Sequence, residues 1–246
     1  MTHNLPSEEY PRYSRQINLP GIGARGQNLL KDASVLIVGL GGLGSSASYY
    51  LAAAGVGRLG LIDDDTVQVT NFNRQILYSA NDIGRLKSQA ARERLQAFNP
   101  EITIEAYQDT FSDEKGQRIA SNYDIIIDAT DNFTSKYLIS DICVALGKPD
   151  VYGTVSAYEG RVSVFSFDNG PCLRCLFPEP AEAPSDGSPI LGTVTGVIGS
   201  LQANEAIKII LGIGEILSGR LLTFNAKNTA FTEYYISKNP DCPACS

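Results

Sequence analysis

The stretch Val35-Leu-Ile-Val-Gly-Leu-Gly-Gly-Leu-Gly44 joins a short apolar run to four glycines. The run contains β-branched residues and predicts a fully buried strand, and the glycines predict a turn into a helix that begins near Gly42. Gly39, Gly41 and Gly44 satisfy the pattern G-x-G-x-x-G, which lets a phosphate group approach bare backbone at the positive end of a helix. The stretch therefore predicts a bound nucleotide without indicating which one.

Strand and helix patterns alternate from residue 35 to about residue 150. This alternation predicts a Rossmann-like, doubly wound α/β fold on a mainly parallel sheet. Beyond residue 151 apolar residues recur with period two, which predicts that antiparallel strands extend the sheet. The predicted strands are 35–39, 58–63, 102–107, 123–129, 160–167 and 232–236. The predicted helices are 42–55, 84–99 and 192–212, together with one around Cys143. The predicted apolar face of helix 84–99 consists of Leu86, Ala90, Ala91, Leu95 and Phe98.

The composition is that of a globular protein organised as one domain. Hydrophobic residues make up 43% and charged residues 19% of the 246 residues, which is ordinary for such proteins. No linker is long enough to define two independent domains, so we predict a single domain over 1–246. We divide it into an N-terminal arm (1–30), a nucleotide-binding half (31–150) and a second half (151–246).

Charge and hydropathy argue against two classes of partner. A net charge of −7 argues against nucleic acid, because phosphate binding requires a basic surface. No apolar run approaches the length of a membrane span, and the N-terminus lacks the basic region and apolar core of a signal peptide. We therefore predict a cytoplasmic protein that binds neither nucleic acid nor membrane.

Four cysteines form two Cys-x-x-Cys pairs, Cys172 with Cys175 and Cys242 with Cys245. In a reducing compartment this arrangement predicts a tetrahedral zinc site of four thiolates, which would fasten the C-terminal tail to the end of a strand. A redox-active dithiol or free thiols are the alternatives. The fifth cysteine, Cys143, lies among apolar residues of a predicted helix and is predicted to be a buried thiol.

A carboxylate follows the second predicted strand. Asp63 stands where a dinucleotide-binding fold places the acid that contacts ribose hydroxyls. Asp64 and Asp65 follow, and one of the three could instead cap the next turn. Up to this point an NAD-dependent dehydrogenase fits equally well.

The next polar residues favour a triphosphate over a nicotinamide. Asn71, Arg74, Gln75 and Lys87 place amides and cations beyond the second strand, and such side chains clamp phosphate oxygens. A solvated helix surface is the alternative interpretation.

Asp131 follows the fourth predicted strand. In an open parallel sheet, ligands bind outside the carboxyl ends of the strands, which makes Asp131 a candidate magnesium ligand. The alternative is that Asp131 caps a helix beginning at residue 132.

Taken together, these residues resemble the ThiF/MoeB group of sulfur-carrier adenylyltransferases, bacterial relatives of ubiquitin-activating enzymes. The resemblance covers nearly the whole chain. It is carried by Arg12-Tyr-Ser-Arg15-Gln, the glycine stretch, Asp63-Asp-Asp65, Asn71 through Gln75, Lys87, Asp131-Asn132, both cysteine pairs and Gly196-Val-Ile-Gly-Ser-Leu-Gln-Ala203.

The resemblance implies ATP-dependent adenylation of the C-terminal glycine carboxylate of a small ubiquitin-like sulfur carrier that ends in Gly-Gly, with release of pyrophosphate. It implies that Gly42 and neighbouring amides contact ATP, and that Asp63 holds the ribose. It further implies that Asn71, Arg74 and Lys87 contact the phosphates and that Asp131 holds Mg²⁺. Arg15 would reach across a homodimer interface to the phosphates bound by the other subunit. Gly39, Gly41, Gly44, Asp65, Gln75 and Asn132 complete the expected nucleotide site, with Arg15, Arg74, Lys87 and Asp131 as the catalytic set. The second half of the chain is expected to bind the carrier.

Two further expectations follow from the resemblance. The pair Gly41-Gly42 is expected to let the nucleotide and the incoming glycine tail lie close to the same backbone. Many members carry a cysteine before the long helix, but the matching position here is close to Ser185, and no cysteine lies between Cys175 and Cys242. We therefore expect the reaction to stop at the acyl-adenylate.

The sequence leaves alternatives open for the pathway and for the activity. Molybdopterin and thiamine biosynthesis both use such activators, and the lack of a loop cysteine and of a downstream rhodanese-like domain favours the molybdopterin type. A dehydrogenase, or a non-catalytic zinc-stabilised binder of a ubiquitin-like protein, are the competing functions.

Overall fold

The computed structural model describes residues 6–178 and 189–246. The helices are α1 (Tyr10–Ile17), α2 (Gly23–Asp32), α3 (Gly42–Ala54), α4 (Lys87–Phe98), α5 (Asp113–Ala120), α6 (Phe133–Leu146), α7 (Leu173–Leu176) and α8 (Gly192–Leu211). The strands are β1 (Ser34–Val38), β2 (Arg58–Ile62), β3 (Thr103–Tyr107), β4 (Ile125–Asp128), β5 (Asp150–Ser156), β6 (Glu159–Phe165), β7 (Arg220–Asn225) and β8 (Ala230–Tyr235).

The eight strands form one sheet in the order β3-β2-β1-β4-β5-β6-β7-β8. Neighbouring strands from β3 to β5 run parallel, and β6, β7 and β8 are added antiparallel. Val35 of β1 pairs with Leu59 on one side and with Ile125 on the other, so the strand order reverses between β1 and β4. The predicted doubly wound sheet with an antiparallel extension is confirmed.

The strand predicted over 35–39 forms as β1 between β2 and β4, and all five residues of β1 are buried. Val35 and Ile37 contribute to the core beneath α3 and α8, whereas Leu36 and Val38 contribute to the core beneath α5 and α6. This two-sided burial explains why the run is continuously apolar. Cys143 is fully buried in the second of these cores, as predicted.

The glycine stretch turns where backbone atoms leave no room for a side chain. Gly39 adopts φ +90°, and a Cβ there would lie 2.7 Å from the carbonyl oxygen of Ala129. A Cβ at Gly44 would lie 2.0 Å from the carbonyl oxygen of Gly39. Gly44 therefore serves close packing of α3 against the strand end.

Some predicted elements require correction. The helix expected over 84–99 begins at Lys87, because Gly84 turns the chain at φ +81° and Leu86 forms a bridge with Thr66. Phe98, expected on the apolar face, is 44% exposed. Strands β5 and β7 were not predicted, and β5 begins at residue 150, where the sequence suggested a division of the chain. In the described ranges, no helix is both long and apolar enough to cross a membrane.

Candidate functional site

A cavity of about 850 Å³ lies at the carboxyl ends of β1, β2 and β4. This is the edge at which the strand order reverses and at which open α/β sheets bind ligands. Its volume falls in the range of small-molecule sites. The predicted nucleotide residues that line it are Gly39, Gly41, Gly42, Asp63, Asp65, Asn71, Arg74, Gln75, Lys87, Asp131 and Asn132.

Two predicted site residues lie elsewhere. Gly44 packs against Gly39 and does not line the cavity. Arg15 lies exposed in the last turn of α1 and does not line the cavity of its own chain either. Its expected reach into the site of a second subunit stays a prediction.

The adjacent glycines at the start of α3 differ in function. A Cβ at Gly42 would lie 2.7 Å from Oγ1 of Thr195, so Gly42 provides room for α8. A Cβ at Gly41 would meet only the Gln75 side chain, at 3.8 Å, so the space beside Gly41 is open. Both glycines line the cavity, and the expectation that the nucleotide and the glycine tail lie close to this backbone stays a prediction.

Asp63 lies at the end of β2, with both oxygens oriented by backbone. Its Oδ2 accepts a hydrogen bond from the Leu40 N–H at 2.7 Å, and its Oδ1 accepts one from the Asp65 N–H at 2.9 Å. Burial raises the pKa of Asp63 above its usual range, although the Lys87 charge and the two N–H donors oppose that shift. Each carboxylate oxygen has further acceptor capacity for ligand hydroxyl groups.

Lys87 brings a buried positive charge to the cavity wall. Its side chain is 6% exposed, and its Nζ lies 2.8 Å from Oδ2 of Asp65, whose side chain is 72% exposed. The Lys87 N–H also donates to the carbonyl of Asp65. The cation is therefore fixed in position from both its backbone and its side chain.

The segment after the 3₁₀ turn Val69–Asn71 carries the other predicted phosphate contacts. The Asn71 Oδ1 accepts from the Gln68 N–H at 2.8 Å, so its Nδ2 is the group available to a ligand. Arg74 is partly exposed, and its Nη1 donates to the carbonyl of Thr70 at 3.1 Å. Gln75 is 3% exposed, and its Oε1 has no hydrogen-bond partner among the described residues.

Asp131 and Asn132 lie in the turn after β4 and have different roles there. Asn132 caps α6, because its Oδ1 accepts a hydrogen bond from the Ser135 N–H at 2.8 Å. The interpretation of Asp131 as the helix cap is therefore wrong. The Asp131 carboxylate is exposed at the cavity, where it could serve as an oxygen ligand.

A buried ion pair that we did not predict supports this turn. The Nζ of Lys136 lies 3.2 Å from both carboxylate oxygens of Asp128 and donates to the carbonyl of Gly153 at 2.7 Å. The Asp128 Oδ1 also accepts from the N–H and hydroxyl of Thr130. The turn that leads to Asp131 is thus anchored beneath the cavity. The sequence signal for this ion pair was the acidic residue Asp128 inside the apolar run 123–129.

The two cysteine pairs meet between the segment after β6 and the C-terminal tail. The Sγ of Cys172 lies 3.9 Å from that of Cys175 and 3.6 Å from that of Cys242, and the Sγ atoms of Cys175 and Cys245 are 3.5 Å apart. Four sulfurs around a tetrahedral zinc ion with Zn–S bonds of about 2.3 Å would be about 3.8 Å apart. The cluster could hold a metal ion, and its spacing is compatible with zinc. Ser185, by contrast, lies outside the described residues.

Sequence comparison with known proteins relates this chain to one family. The ThiF family model matches residues 13–244. A sulfur carrier protein adenylyltransferase of Thermus thermophilus is 44% identical over 97% of this chain and 91% of its own length. An adenylyltransferase and sulfurtransferase MOCS3 of Drosophila sechellia is 46% identical over 98% of this chain and 54% of its own length. The chain thus spans about half the length of that relative.

Solved structures show the same fold at lower identity. Crystal structures of E. coli MccB, one with MccA-N7isoASN and one with ATP, superpose with TM-scores of 0.86 and 0.85. The first is 23% identical to this chain, and the match covers 99% of this chain and 76% of the MccB chain. The second is 22% identical, and the match covers 100% of this chain and 75% of the MccB chain.

Proposed function

The chain belongs to the ThiF family and is an enzyme of the adenylyltransferase type, and we propose that its substrates are ATP and a small ubiquitin-like sulfur carrier ending in Gly-Gly. The C-terminal glycine carboxylate of the carrier would be adenylated and pyrophosphate released. The observation that carries the proposal is the cavity where the start of α3, Arg74, Lys87 and Asp131 converge. The sulfur would serve molybdopterin or thiamine biosynthesis.

The chemistry of the lining residues suits ATP. Backbone N–H groups at the start of α3 favour an anion, and Asp63 offers acceptors for ribose hydroxyls. Asn71, Arg74 and Lys87 supply donors and positive charge for the phosphates. The arrangement therefore supports a nucleotide with several phosphate groups.

The proposed reaction needs charge neutralisation more than proton transfer. A carrier carboxylate forms a bond to the α-phosphorus, and the bond to pyrophosphate breaks with its electron pair leaving on the pyrophosphate oxygen. Because the carboxylate is ionised at neutral pH, no general base is required. Arg74 and Lys87 reduce the repulsion between the two anions and hold them in place. We propose that Arg15 adds a charge to the site of a second copy in a homodimer.

Two metals are part of the proposal. Asp131 would hold Mg²⁺, whose charge screens the phosphates; its exposed carboxylate is a ligand type that Mg²⁺ prefers. The cysteine cluster would hold a structural Zn²⁺, supported by the sulfur spacing. We also propose a cytoplasmic location, because a reducing compartment keeps such cysteines available as metal ligands.

We further propose that this chain stops at the acyl-adenylate. The sequence contains no cysteine between Cys175 and Cys242 that could accept the activated carrier. Another protein would then supply the sulfur.

The test is carrier-dependent exchange of labelled pyrophosphate into ATP, with candidate carriers from both pathways. We expect exchange with one carrier and a loss of about a hundredfold or more in Asp131→Ala, in line with the removal of one electrostatic contact from a transition state. Asp32→Ala, which removes an exposed carboxylate away from the cavity, is the matched control.

Other outcomes would identify the competing functions. Binding of a carrier without any exchange would indicate a non-catalytic binder. A rise in melting temperature with NAD, and none with ATP and Mg²⁺, would indicate a dehydrogenase. A robust thiol-sensitive adduct in the intact mass would contradict the proposed stop at the adenylate.

A further inference from the structure

The backbone N–H and the backbone carbonyl of Leu40 are both hydrogen-bonded to side chains, and these side chains come from different segments. The Leu40 N–H donates to Oδ2 of Asp63 at 2.7 Å, and the Leu40 carbonyl accepts from the hydroxyl of Tyr78 at 2.9 Å. Tyr78 is 7% exposed and belongs to the segment that also carries Arg74 and Gln75. The segment with the proposed phosphate contacts is therefore tied directly to the glycine stretch.

The bond from Tyr78 determines the direction of a neighbouring donor. In a planar trans peptide, the carbonyl of Leu40 and the N–H of Gly41 point in opposite directions. The Gly41 N–H therefore points away from Tyr78. Gly41 lines the cavity, and no described residue accepts a hydrogen bond from its N–H. Because glycine rotates freely about its backbone bonds, this peptide needs an outside constraint to keep one orientation.

We propose that Tyr78 is a positioning residue that holds the Leu40–Gly41 peptide with the Gly41 N–H facing the cavity, where it donates to a phosphate oxygen of the bound nucleotide. The inference rests on the proposed function, since it assumes that the nucleotide is ATP. Burial and the nearby Asp63 charge raise the pKa of Tyr78 far above its usual range, so the hydroxyl remains a donor at any working pH.

The variant Tyr78→Phe tests the proposal, because it keeps the ring and removes only the hydroxyl. We would measure the affinities of ATP and adenosine by calorimetry on the full chain. We expect ATP to bind about fivefold more weakly, the factor for one net hydrogen bond, and adenosine to bind unchanged. Tyr123→Phe is the matched control, because the Tyr123 hydroxyl bonds Glu105 outside the cavity.

The ratio of the ATP affinity to the adenosine affinity distinguishes a positioning role of Tyr78 from a general effect on the fold. It does not depend on the folded fraction, so a loss of stability in Tyr78→Phe cannot imitate the result. Unchanged ATP affinity, or an equal loss for both ligands, would overturn the inference while leaving the proposed function standing. If wild type itself binds no ATP, the proposed function fails and the inference fails with it.

Discussion

At the scale of single residues, the fold accommodates the charge of Asp150 poorly. It begins β5, is fully buried, and neither carboxylate oxygen has a hydrogen-bond partner in the described structure. Burial raises the pKa of Asp150 well above its usual range, and the nearby Asp128 charge adds to this effect, while Lys136 opposes it. The folded state therefore favours the protonated acid.

Replacing Asp150 with asparagine should stabilise the protein increasingly as the pH rises. Because the folded pKa is raised, the contribution of Asp150 to stability is fully present below its unfolded pKa of about 4 and is lost as the pH rises towards the folded pKa. The asparagine side chain does not ionise, so the variant would avoid that loss. We expect the difference in melting temperature between Asp150→Asn and wild type to grow from pH 5 to pH 8.

The exposed Asp32 supplies the control for this prediction. Asp32→Asn should give a small difference from wild type that changes little over the same pH range. A difference for Asp150→Asn that stays constant or shrinks with pH would show that the pKa of the buried carboxyl group is not raised in the folded state.

The residues that line or support the cavity divide into those that sequence can predict and those that it cannot. Asp63 directly follows β2, and Asp131 lies three residues beyond the end of β4. The carboxyl ends of parallel strands meet at one edge, so the convergence of the two residues follows from the pattern. Lys136 and Tyr78 act through contacts with Asp128 and Leu40, which depend on how separate elements pack. No spacing in the sequence reveals such contacts.

At the scale of the elements, glycine residues allow α3 and α8 to pack closely against each other. A Cβ at Gly199 would lie 2.4 Å from the carbonyl oxygen of Leu43, and the Ser46 hydroxyl donates to the carbonyl of Thr195 at 3.2 Å. Both contacts lie in the first turns of α3, close to Gly41. The position of the α3 N-terminus is therefore set by its contact with α8.

Gly199→Ala should force these helices apart. We expect a destabilisation of about 1–3 kcal/mol, typical of overpacking, and a weaker affinity for ATP because the start of α3 is displaced. Denaturant unfolding and calorimetry would measure the two effects.

The same helix provides a matched control. A Cβ at Gly196 would meet nothing within 4 Å. Gly196→Ala should therefore stabilise the protein by about 1 kcal/mol through helix propensity and leave ATP affinity unchanged. Equal effects of the two alanines would show that the contact with Leu43 relaxes freely.

Element types were predictable from periodicity, whereas several element limits and two strands were not. The opening run and the run at 123–129 are buried on both faces, which gives a strong signal. Strand β7 is only partly buried, and β5 begins with a buried acid, so neither has a clear apolar pattern. The start of α4 depends on the turn at Gly84 and the bridge at Leu86, which are tertiary features.

On the scale of the whole molecule, the cysteine cluster joins the C-terminal tail to the segment after β6. We expect purified protein to contain about one zinc ion per chain, as a closed tetrahedral site implies. The double variant Cys242→Ser/Cys245→Ser should lose nearly all of it and melt at a lower temperature, because metal binding contributes directly to folding.

Cys143→Ala is the control for metal content, since Cys143 lies in a separate core. It should keep the full zinc content even if its stability falls slightly. Full metal content in the double variant, measured by atomic emission, would assign the ion to another site.

The fit of α8 against α3 also limits how this protein can be recombined with its relatives. A chimera joined at residue 150 would keep Gly42 and Leu43 from one parent and take the residues facing them from the other. Thr195 fills the space beside Gly42, and Gly199 leaves room for the Leu43 carbonyl, so both fits must survive the exchange. An attempt to swap carrier preference between two such enzymes would therefore have to transfer the facing turns of α3 and α8 as a unit, although they lie in opposite halves of the chain.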